Sequence, residues 1–353
     1  MRRPRFSVVV PTFNRREALE RTLAGYERQD SSTPEFEVLV VDDGSTDDTG
    51  ELLDGWRSDR FVLRVEHQSN RGPAAARNRA LAVASGEVVL FTGDDIEPAE
   101  DLLLRHEQAQ RASPNGETAY FGRIDWPSAL PTTATMRHIT GRGAQQFSFF
   151  YLEDGREYDY RHFYTSNVSI PRQLLDREPE LFSEAFPAAA FEDAELAFRL
   201  ARHGLRLRYL AGARAWHWHH YDASSFFARQ ERCGEMAHLL LRMHPETGRE
   251  IDLRVLSGFR WRSFLIAGIG RGRLRRLSLD LPARTAEALA AANDLDGGSD
   301  TDAAPLLQAL FRFGFLAGAT RRLYPPPVAR RVEAALFGDL IEAPLTRALR
   351  RSA

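Results

Sequence analysis

Val38-Leu39-Val40-Val41-Asp42-Asp43-Gly44-Ser45-Thr46-Asp47 is the stretch whose reading decides the fold. Four consecutive apolar residues, three of them β-branched, suit a strand buried on both faces. The strand runs straight into two acids and a glycine turn, and Thr46-Asp47-Asp48 then starts a helix expected to bury Leu52, Leu53 and Trp56. The same unit recurs on either side. Upstream, Phe6–Val10 is a short β-branched run leading into Pro11, Thr12 and Asn14. Glu17, three residues after Asn14, gives a capping-box signature, and Ala18, Leu19, Thr22, Leu23 and Tyr26 recur at helical spacing. Downstream, Phe61–Val65 alternates as a third strand. Pro73–Ala84 is an Ala-rich helix closed by Gly86, and Val88–Phe91 is a fourth strand ending in Gly93-Asp94-Asp95.

Strands alternating with helices imply a parallel sheet covered by helices on both faces, an α/β architecture. Ligands on such sheets bind beyond the carboxyl ends of the strands. Asn14, the Asp42-Asp43 pair and the Asp94-Asp95 pair each follow a strand, where that rule wants polar residues. After Tyr120–Ile124, a further strand, the pattern loosens. Phe147–Tyr164 is aromatic and reads as a long loop or lid, and Asn167–Ile170 is a short strand before Pro171. Glu192–His203 is a helix stopped by Gly204, Leu205–Leu210 is a strand, and Trp216-His217-Trp218-His219-His220 follows. Beyond Asp222 the chain reads as helices: Phe226–His244, then Leu306–Leu323 and Val328–Arg350 after a polar linker at Asp294–Asp302.

With 353 residues, the chain is long enough for one large or two modest domains. The net charge of −2 offers no global field for nucleic acid, and the 47 basic residues are all Arg, a bias that discounts Arg abundance as a functional sign. A single cysteine, Cys233, excludes an intrachain disulfide and a cysteine-built zinc site. Phe6–Val10 is too short for a signal sequence, and no stretch approaches the ~20 apolar residues of a membrane span. The expectation is a cytoplasmic protein.

Carboxylates at two adjacent strand ends suit a hard divalent cation and the hydroxyls of a nucleotide. One Asp-Asp pair alone is weak, since acids also cap helices and turns; Asp47 and Asp48 fit that reading. Two pairs on one sheet are harder to dismiss. A third signal is Asn70-Arg71-Gly72-Pro73-Ala74-Ala75-Ala76-Arg77-Asn78, whose small residues let a ligand approach a helix N-terminus that favours anions.

Together, Val8–Arg15, Val40–Asp47, Asn70–Gly72 with Ala76–Asn78, and Gly86-Glu87 with Asp94-Asp95 resemble glycosyltransferase family 2 in order and spacing. The resemblance covers about residues 6–220. It implies the GT-A fold, a Rossmann-like and mostly parallel sheet flanked by helices with one antiparallel strand in its second half. A helical C-terminal extension would follow. The expected domains are 1–222, divided into a nucleotide-sugar half (1–100) and an acceptor half (101–222), and a helical region at 223–353.

The resemblance also implies roles. Pro11, Thr12 and Asn14 would lie under the nucleotide. Asp42, with its neighbour Asp43, would contact the base or ribose, with Gly72 and Arg77 assisting. Asp95 would hold a divalent metal, Mn²⁺ or Mg²⁺, and Asp94 would face the ribose or sugar. The family's D-x-D element is altered, because Gly93 stands where many members carry the first acid. Phe191-Glu192-Asp193-Ala194-Glu195-Leu196 matches the acidic pair that opens the acceptor-side helix, so Glu192 and Asp193 are the catalytic candidates, with Asp193 as general base. His217 matches a histidine that related enzymes place near the metal. A histidine packed between aromatics is the competing reading. The implied activity is inverting transfer from a nucleoside diphosphate sugar, a UDP-sugar being the expected donor. The acceptor would be a glycan or a lipid-linked hydroxyl in cell-envelope synthesis.

Three alternatives compete with this reading. A dehydrogenase on a similar sheet needs G-x-G-x-x-G after its first strand, and Pro11-Thr12-Phe13-Asn14 contains no glycine. A sugar-nucleotide-forming nucleotidyltransferase needs a Gly-rich basic loop there, also lacking. A catalytically inactive sugar-nucleotide-binding scaffold is favoured only by Gly93. Finally, Arg254, Arg260, Arg262, Arg271, Arg273, Arg275 and Arg276 are interleaved with Phe259, Trp261, Phe264, Leu265 and Ile266 in a stretch without acids. Such a surface can dock on anionic lipid at the inner face of the plasma membrane; a solvated Arg face is the plainer reading.

Overall fold

The computed structural model describes residues 3–113, 115–249, 271–295 and 300–352. The chain divides into two compact units. Residues Met1–Leu130 and Phe149–His219 form the first; Pro131–Ser148 and His220–Ala353 form the second.

The first unit is built on a nine-stranded sheet. Its opening strands, β1 (Phe6–Thr12) and β2 (Phe36–Asp42), are buried along nearly their whole length, as their uninterrupted apolar runs require. Helix α1 (Arg16–Glu27) buries Leu19, Thr22, Leu23 and Tyr26 at helical spacing. Helix α2 (Thr49–Gly55) begins later than Thr46, buries Leu53, and leaves Leu52 and Trp56 half-exposed. β3 (Val62–His67) is the edge strand and is mostly accessible. Helix α3 (Pro73–Val83) packs Ala74, Ala75, Ala76 and Ala80 inward, small side chains that let it lie close to the sheet. β4 (Val88–Thr92) returns to the centre, and β5 (Ile96–Pro98) follows at once.

Parallel register sets Thr12 beside Asp42 and Asp42 beside His67. In the second half, α4 (Leu102–Ala112) covers the sheet and β6 (Thr118–Asp125) joins it. β7 (Glu157–Tyr158) is a two-residue addition at its margin. β8 (Asn167–Pro171) runs antiparallel to both β4 and β6, with Thr92 opposite Asn167. The expected antiparallel strand is therefore present, in an otherwise mostly parallel GT-A arrangement. β9 (Arg206–His217) pairs in parallel with β6, and its end pairs with β5 so that His217 stands opposite Ile96.

Asn14 does not cap α1, contrary to the capping-box reading. The cap position is Arg15, without a side-chain cap. Asn14 sits at φ +52°, and its Oδ1 accepts from the backbone N–H groups of Thr46 (2.7 Å) and Asp47 (3.4 Å). Two neighbouring strand-exit loops compete for that amide, and the loop after β2 gains it.

The second unit is helical: α5 (Ala134–Thr140), α8 (Ala223–Met243), and helices over Arg271–Asp294, Asp300–Leu323, Pro326–Leu340 and Glu342–Ser352. Asp222 begins α8 with a true capping box to Ser225. The tightest crossing is between α8 and the 300–323 helix. A Cβ at Gly234 would fall 1.9 Å from the Phe315 carbonyl, and one at Gly318 equally close to the Glu231 carbonyl. Reciprocal glycines let these two backbones touch, and Phe226 meets Phe311 edge-on at 4.7 Å beside them. The expected single helix over 328–350 is two, broken at Ile341. Residues 254–270 of the basic stretch lie outside the described residues. Among the described residues no helix is long and apolar enough to cross a membrane.

Candidate active site

The carboxyl ends of β1, β2 and β3, with the loops that follow, assemble the first part of the site. Asp42 is buried; its Oδ1 accepts from the Ser45 backbone N–H at 2.9 Å and its Oδ2 lies 3.1 Å from His67 Nδ1. Asp43 turns the other way. It accepts from Gln68 Nε2 (2.7 Å), Arg71 N–H (2.8 Å) and Gly72 N–H (2.8 Å), so it shapes the loop that enters α3. Gly72 needs its φ of +87°, and a Cβ there would press within 3.1 Å of the Pro187 carbonyl. Pro11 lies in β1, one residue before Thr12.

The second part is the corner after β4. Thr12 Oγ1 donates to Asp94 Oδ2 at 2.8 Å, and Thr22 Oγ1 donates to the Asp94 carbonyl at 2.9 Å. Burial, aided by the neighbouring Asp95 charge and opposed by Arg15, pushes Asp94 up to about 7. Asp95 behaves oppositely. Burial alone would raise it, but His217, Arg15 and His219 outweigh that and hold it far below the ordinary carboxylate range. Its Oδ2 lies 2.8 Å from Arg15 Nη1, 3.2 Å from His217 Nε2 and 3.7 Å from His219 Nδ1. The β5–β9 pairing delivers both histidines here, and the Trp218 N–H donates to the Asp95 carbonyl at 2.8 Å. The His217 ring stacks on Trp126 (5.2 Å) and on His219 (5.5 Å). The ligand atoms of Asp95, His217 and His219 all lie within 4.8 Å of one another. One carboxylate and two imidazoles converging in this way fit a divalent cation by the chemistry of the donor set.

The third part is the start of α7 (Glu192–Ala201). Phe191, just before it, is forced to φ +66°, an uncommon conformation for a bulky residue and a frequent mark of a functional constraint. The Glu192 carboxylate accepts from Arg77 Nη1 at 2.8 Å, with both side chains buried, and the Arg77 guanidinium lies over the Phe182 ring at 5.4 Å. Asn78 clasps the same segment, bonding both the carbonyl and the N–H of Phe182. The cation goes to Glu192, while the half-buried Asp193 accepts the Ala194 N–H at 2.8 Å. Desolvation first, then the Glu192 charge, raise Asp193 to about 7, against the pull of Arg77.

The structure pairs anticipated residues two by two, in separate contacts: Thr12 with Asp94, Asp43 with Gly72, Arg77 with Glu192, and Asp95 with His217. Arg77, expected to assist at the nucleotide, spends one N–H on Glu192. Three participants had no role assigned from sequence. Arg15 stands in the first motif but reads as a surface cation. His67 needs the β2–β3 register to meet Asp42. His219 was visible in the Trp-His-Trp-His-His run, but alternation alone does not say that it faces Asp95.

The fold and these corners define a GT-A transferase domain. Residues 7–177, a little under half of the chain, match the family model described as Glycosyl transferase family 2, and this stretch is a domain of that family. The poly(ribitol-phosphate) β-N-acetylglucosaminyltransferase TarS of Staphylococcus aureus is 40% identical over 196 residues, 51% of this chain and 32% of that protein. The validoxylamine A glucosyltransferase of Streptomyces hygroscopicus subsp. jinggangensis is 30% identical over 226 residues, 57% of this chain and 52% of its own. The chain therefore spans about half or less of the length of these relatives. In fold it is similar to the TarS 1–349 complex with UDP (TM-score 0.50, 18% identity, 95% of this chain and 91% of that one). It is equally similar to a Pyrobaculum calidifontis mannosyltransferase in complex with GDP-Man and Mn²⁺ (TM-score 0.50, 20% identity, 99% and 87%).

Proposed function

We propose that this chain transfers a sugar from a nucleoside diphosphate donor to an acceptor hydroxyl in one displacement that inverts the anomeric centre. The observation that carries this reading is the placement of two acids: Asp95 Oδ2 is gathered with Arg15, His217 and His219 at 2.8–3.7 Å, whereas Asp193 stands beside a Glu192 already paired with Arg77 and is raised to about 7. The first suits a metal and diphosphate, the second a general base.

Asp95 and His217 are the residues that would hold a divalent cation. When bound, it would offset the charge that builds on the leaving diphosphate. Asp42, Asp43 and the loop into α3 would seat the nucleoside, with Pro11, Thr12 and Asn14 beneath it and Asp94 toward the ribose or sugar. Asp193 accepts the proton of the acceptor hydroxyl as its oxygen bonds the anomeric carbon; the bond to the diphosphate breaks, and the nucleoside diphosphate departs. A group near pKa 7 takes and releases that proton with little penalty at neutral pH. UDP in the TarS complex supports a uridine donor, and GDP-Man with Mn²⁺ in the mannosyltransferase supports a metal. The poly(ribitol-phosphate) acceptor in the name of TarS supports a cell-surface polymer as the acceptor class. Contact with a membrane surface through 254–276 remains a proposal from the sequence.

A thermal-shift panel of nucleotide sugars with Mn²⁺ tests the donor class. A ligand at ~100 times its dissociation constant adds about 2.7 kcal/mol. Donor hydrolysis or transfer by the stabilising sugar, lost in Asp95→Asn, is the expected result. Stabilisation without turnover at any pH would instead favour the scaffold reading.

A further inference from the structure

Gly93 removes one acid from the metal-binding element, and the fold supplies a substitute from elsewhere. We propose that the metal corner is a two-histidine, one-carboxylate site in which His219 takes the donor place vacated at Gly93, with Arg15 as a resident counter-ion that the metal displaces. This deepens the metal-assisted reading above and rests on it.

Geometry is the first argument. Around a cation with ligands at about 2.1 Å, neighbouring donor atoms stand about 3 Å apart. Asp95 Oδ2 is already 3.2 Å from His217 Nε2 and 3.7 Å from His219 Nδ1. Two of the three edges are thus near coordination spacing, and all three donor atoms lie within 4.8 Å of one another. The rings are held there, since His217 is stacked between Trp126 and His219. Rigid support of this kind lowers the ordering cost of binding.

Tautomer chemistry is the second. Arg15 Nη1 lies 3.2 Å from His219 Nδ1 and 2.8 Å from Asp95 Oδ2. A guanidinium has no acceptor, so the Nδ1 of His219 meets it with a lone pair. That lone pair, aimed into the corner, is what a metal requires. Arg15 therefore marks the place of a cation: it neutralises Asp95 and covers the His219 nitrogen together.

Space is the third. A Cβ at position 93 would come within 3.0 Å of Asp95 Oδ1 and 3.2 Å of Ile96 Cγ1. An acidic side chain at that position would push the Asp95 carboxylate from its present seat. The set of one carboxylate and two imidazoles leaves three positions of an octahedron for diphosphate oxygens and water. Its nitrogen content favours Mn²⁺ and Co²⁺ over Mg²⁺, which prefers oxygen and its own waters.

The test uses the full chain and the metal alone. Mn²⁺ binding is followed by electron paramagnetic resonance and Co²⁺ binding by visible absorption, without nucleotide. The wild type is expected to bind both more tightly than Mg²⁺. His219→Ala should weaken Mn²⁺ and Co²⁺ by at least about tenfold, the lower end of what even outer-shell losses cost, and alter the Co²⁺ spectrum. His219→Asp should keep Mn²⁺ and move the preference toward Mg²⁺. Arg15→Ala should tighten Mn²⁺ binding. Unchanged affinity and spectrum in His219→Ala, with binding lost in Asp95→Asn, would overturn the His219 ligand and leave the proposed function standing. Unchanged or weaker Mn²⁺ binding in Arg15→Ala would overturn the counter-ion. No uptake of either metal by the wild type, even with a nucleoside diphosphate added, would sink the metal-assisted reading itself.

Discussion

Two acidic pairs, Asp94-Asp95 after β4 and Glu192-Asp193 at the start of α7, are alike in sequence and unlike in surroundings. In each, one carboxylate has a cation and its neighbour is pushed to about 7 by burial. The difference lies in where the cation sits. At Asp95, whose own side chain is mostly covered, the partners Arg15 and His219 are partly exposed, at 37% and 28%. At the second pair the cation is Arg77, buried at 8% exposure, and it takes Glu192 out of play. The acid that can meet a ligand is thus the ionised one in the first corner and the protonatable one in the second. Adjacent carboxylates acquire different chemistry from which of them receives the cation.

Asp193→Asn attacks this contrast most directly. It should lower kcat by about 10²–10⁴-fold, the usual worth of a general base, with donor affinity kept. If donor binding falls in step with kcat, Asp193 belongs to the donor side and the contrast fails. The sign of its linkage is also checkable. A carboxyl held near 7 when folded and at 3.8 when unfolded contributes stability at low pH, and this is lost as pH rises through 7. The Asn variant should therefore gain stability over the wild type above pH 7, read by urea unfolding across pH.

Next in size is Arg77→Met, which strands the Glu192 charge in a buried setting. Breaking a buried pair from one side costs about 3–5 kcal/mol, measured by chemical denaturation. Arg77 lowers Asp193 and Glu192 raises it. The acid limb of kcat/KM should thus move to higher pH in Arg77→Met and to lower pH in Glu192→Gln. Shifts in the same direction would mean that the pair acts only as scaffolding.

Thr12→Val is the smallest probe. It removes the hydroxyl that Asp94 accepts from and should cost about 1 kcal/mol of stability. The pH limb assigned to Asp193 should stay in place; its movement would mean that the two corners titrate together.

The strand ends were legible because their signal is local. Apolar runs at Phe6–Val10, Val38–Val41 and Val88–Phe91 end in polar residues, and a parallel sheet gathers such ends along one edge. Glu192 and Asp193 were legible through the resemblance carried by Phe191–Leu196, since two acids at the head of a helix by themselves fit a dipole-satisfying role. The Arg77–Glu192 pair was not, since 115 residues separate its members and nothing in either neighbourhood names the other. The buried network of His106, Ser169 and Asn167 was missed for the same reason. Residues Pro131–Ser148 were assigned by sequence to the acceptor half, yet they cluster with the C-terminal helices, a grouping no local period reports.

The amino-acid order by itself determined the alternation of strand and helix, the family resemblance of the strand-end motifs and the inventory of acids, because these depend on neighbours a few residues apart. Tertiary structure alone decided which acid of each pair keeps a cation and which histidines face Asp95. Burial and charge pairing act through space, and the chain brings those partners together only once the sheet has closed its register.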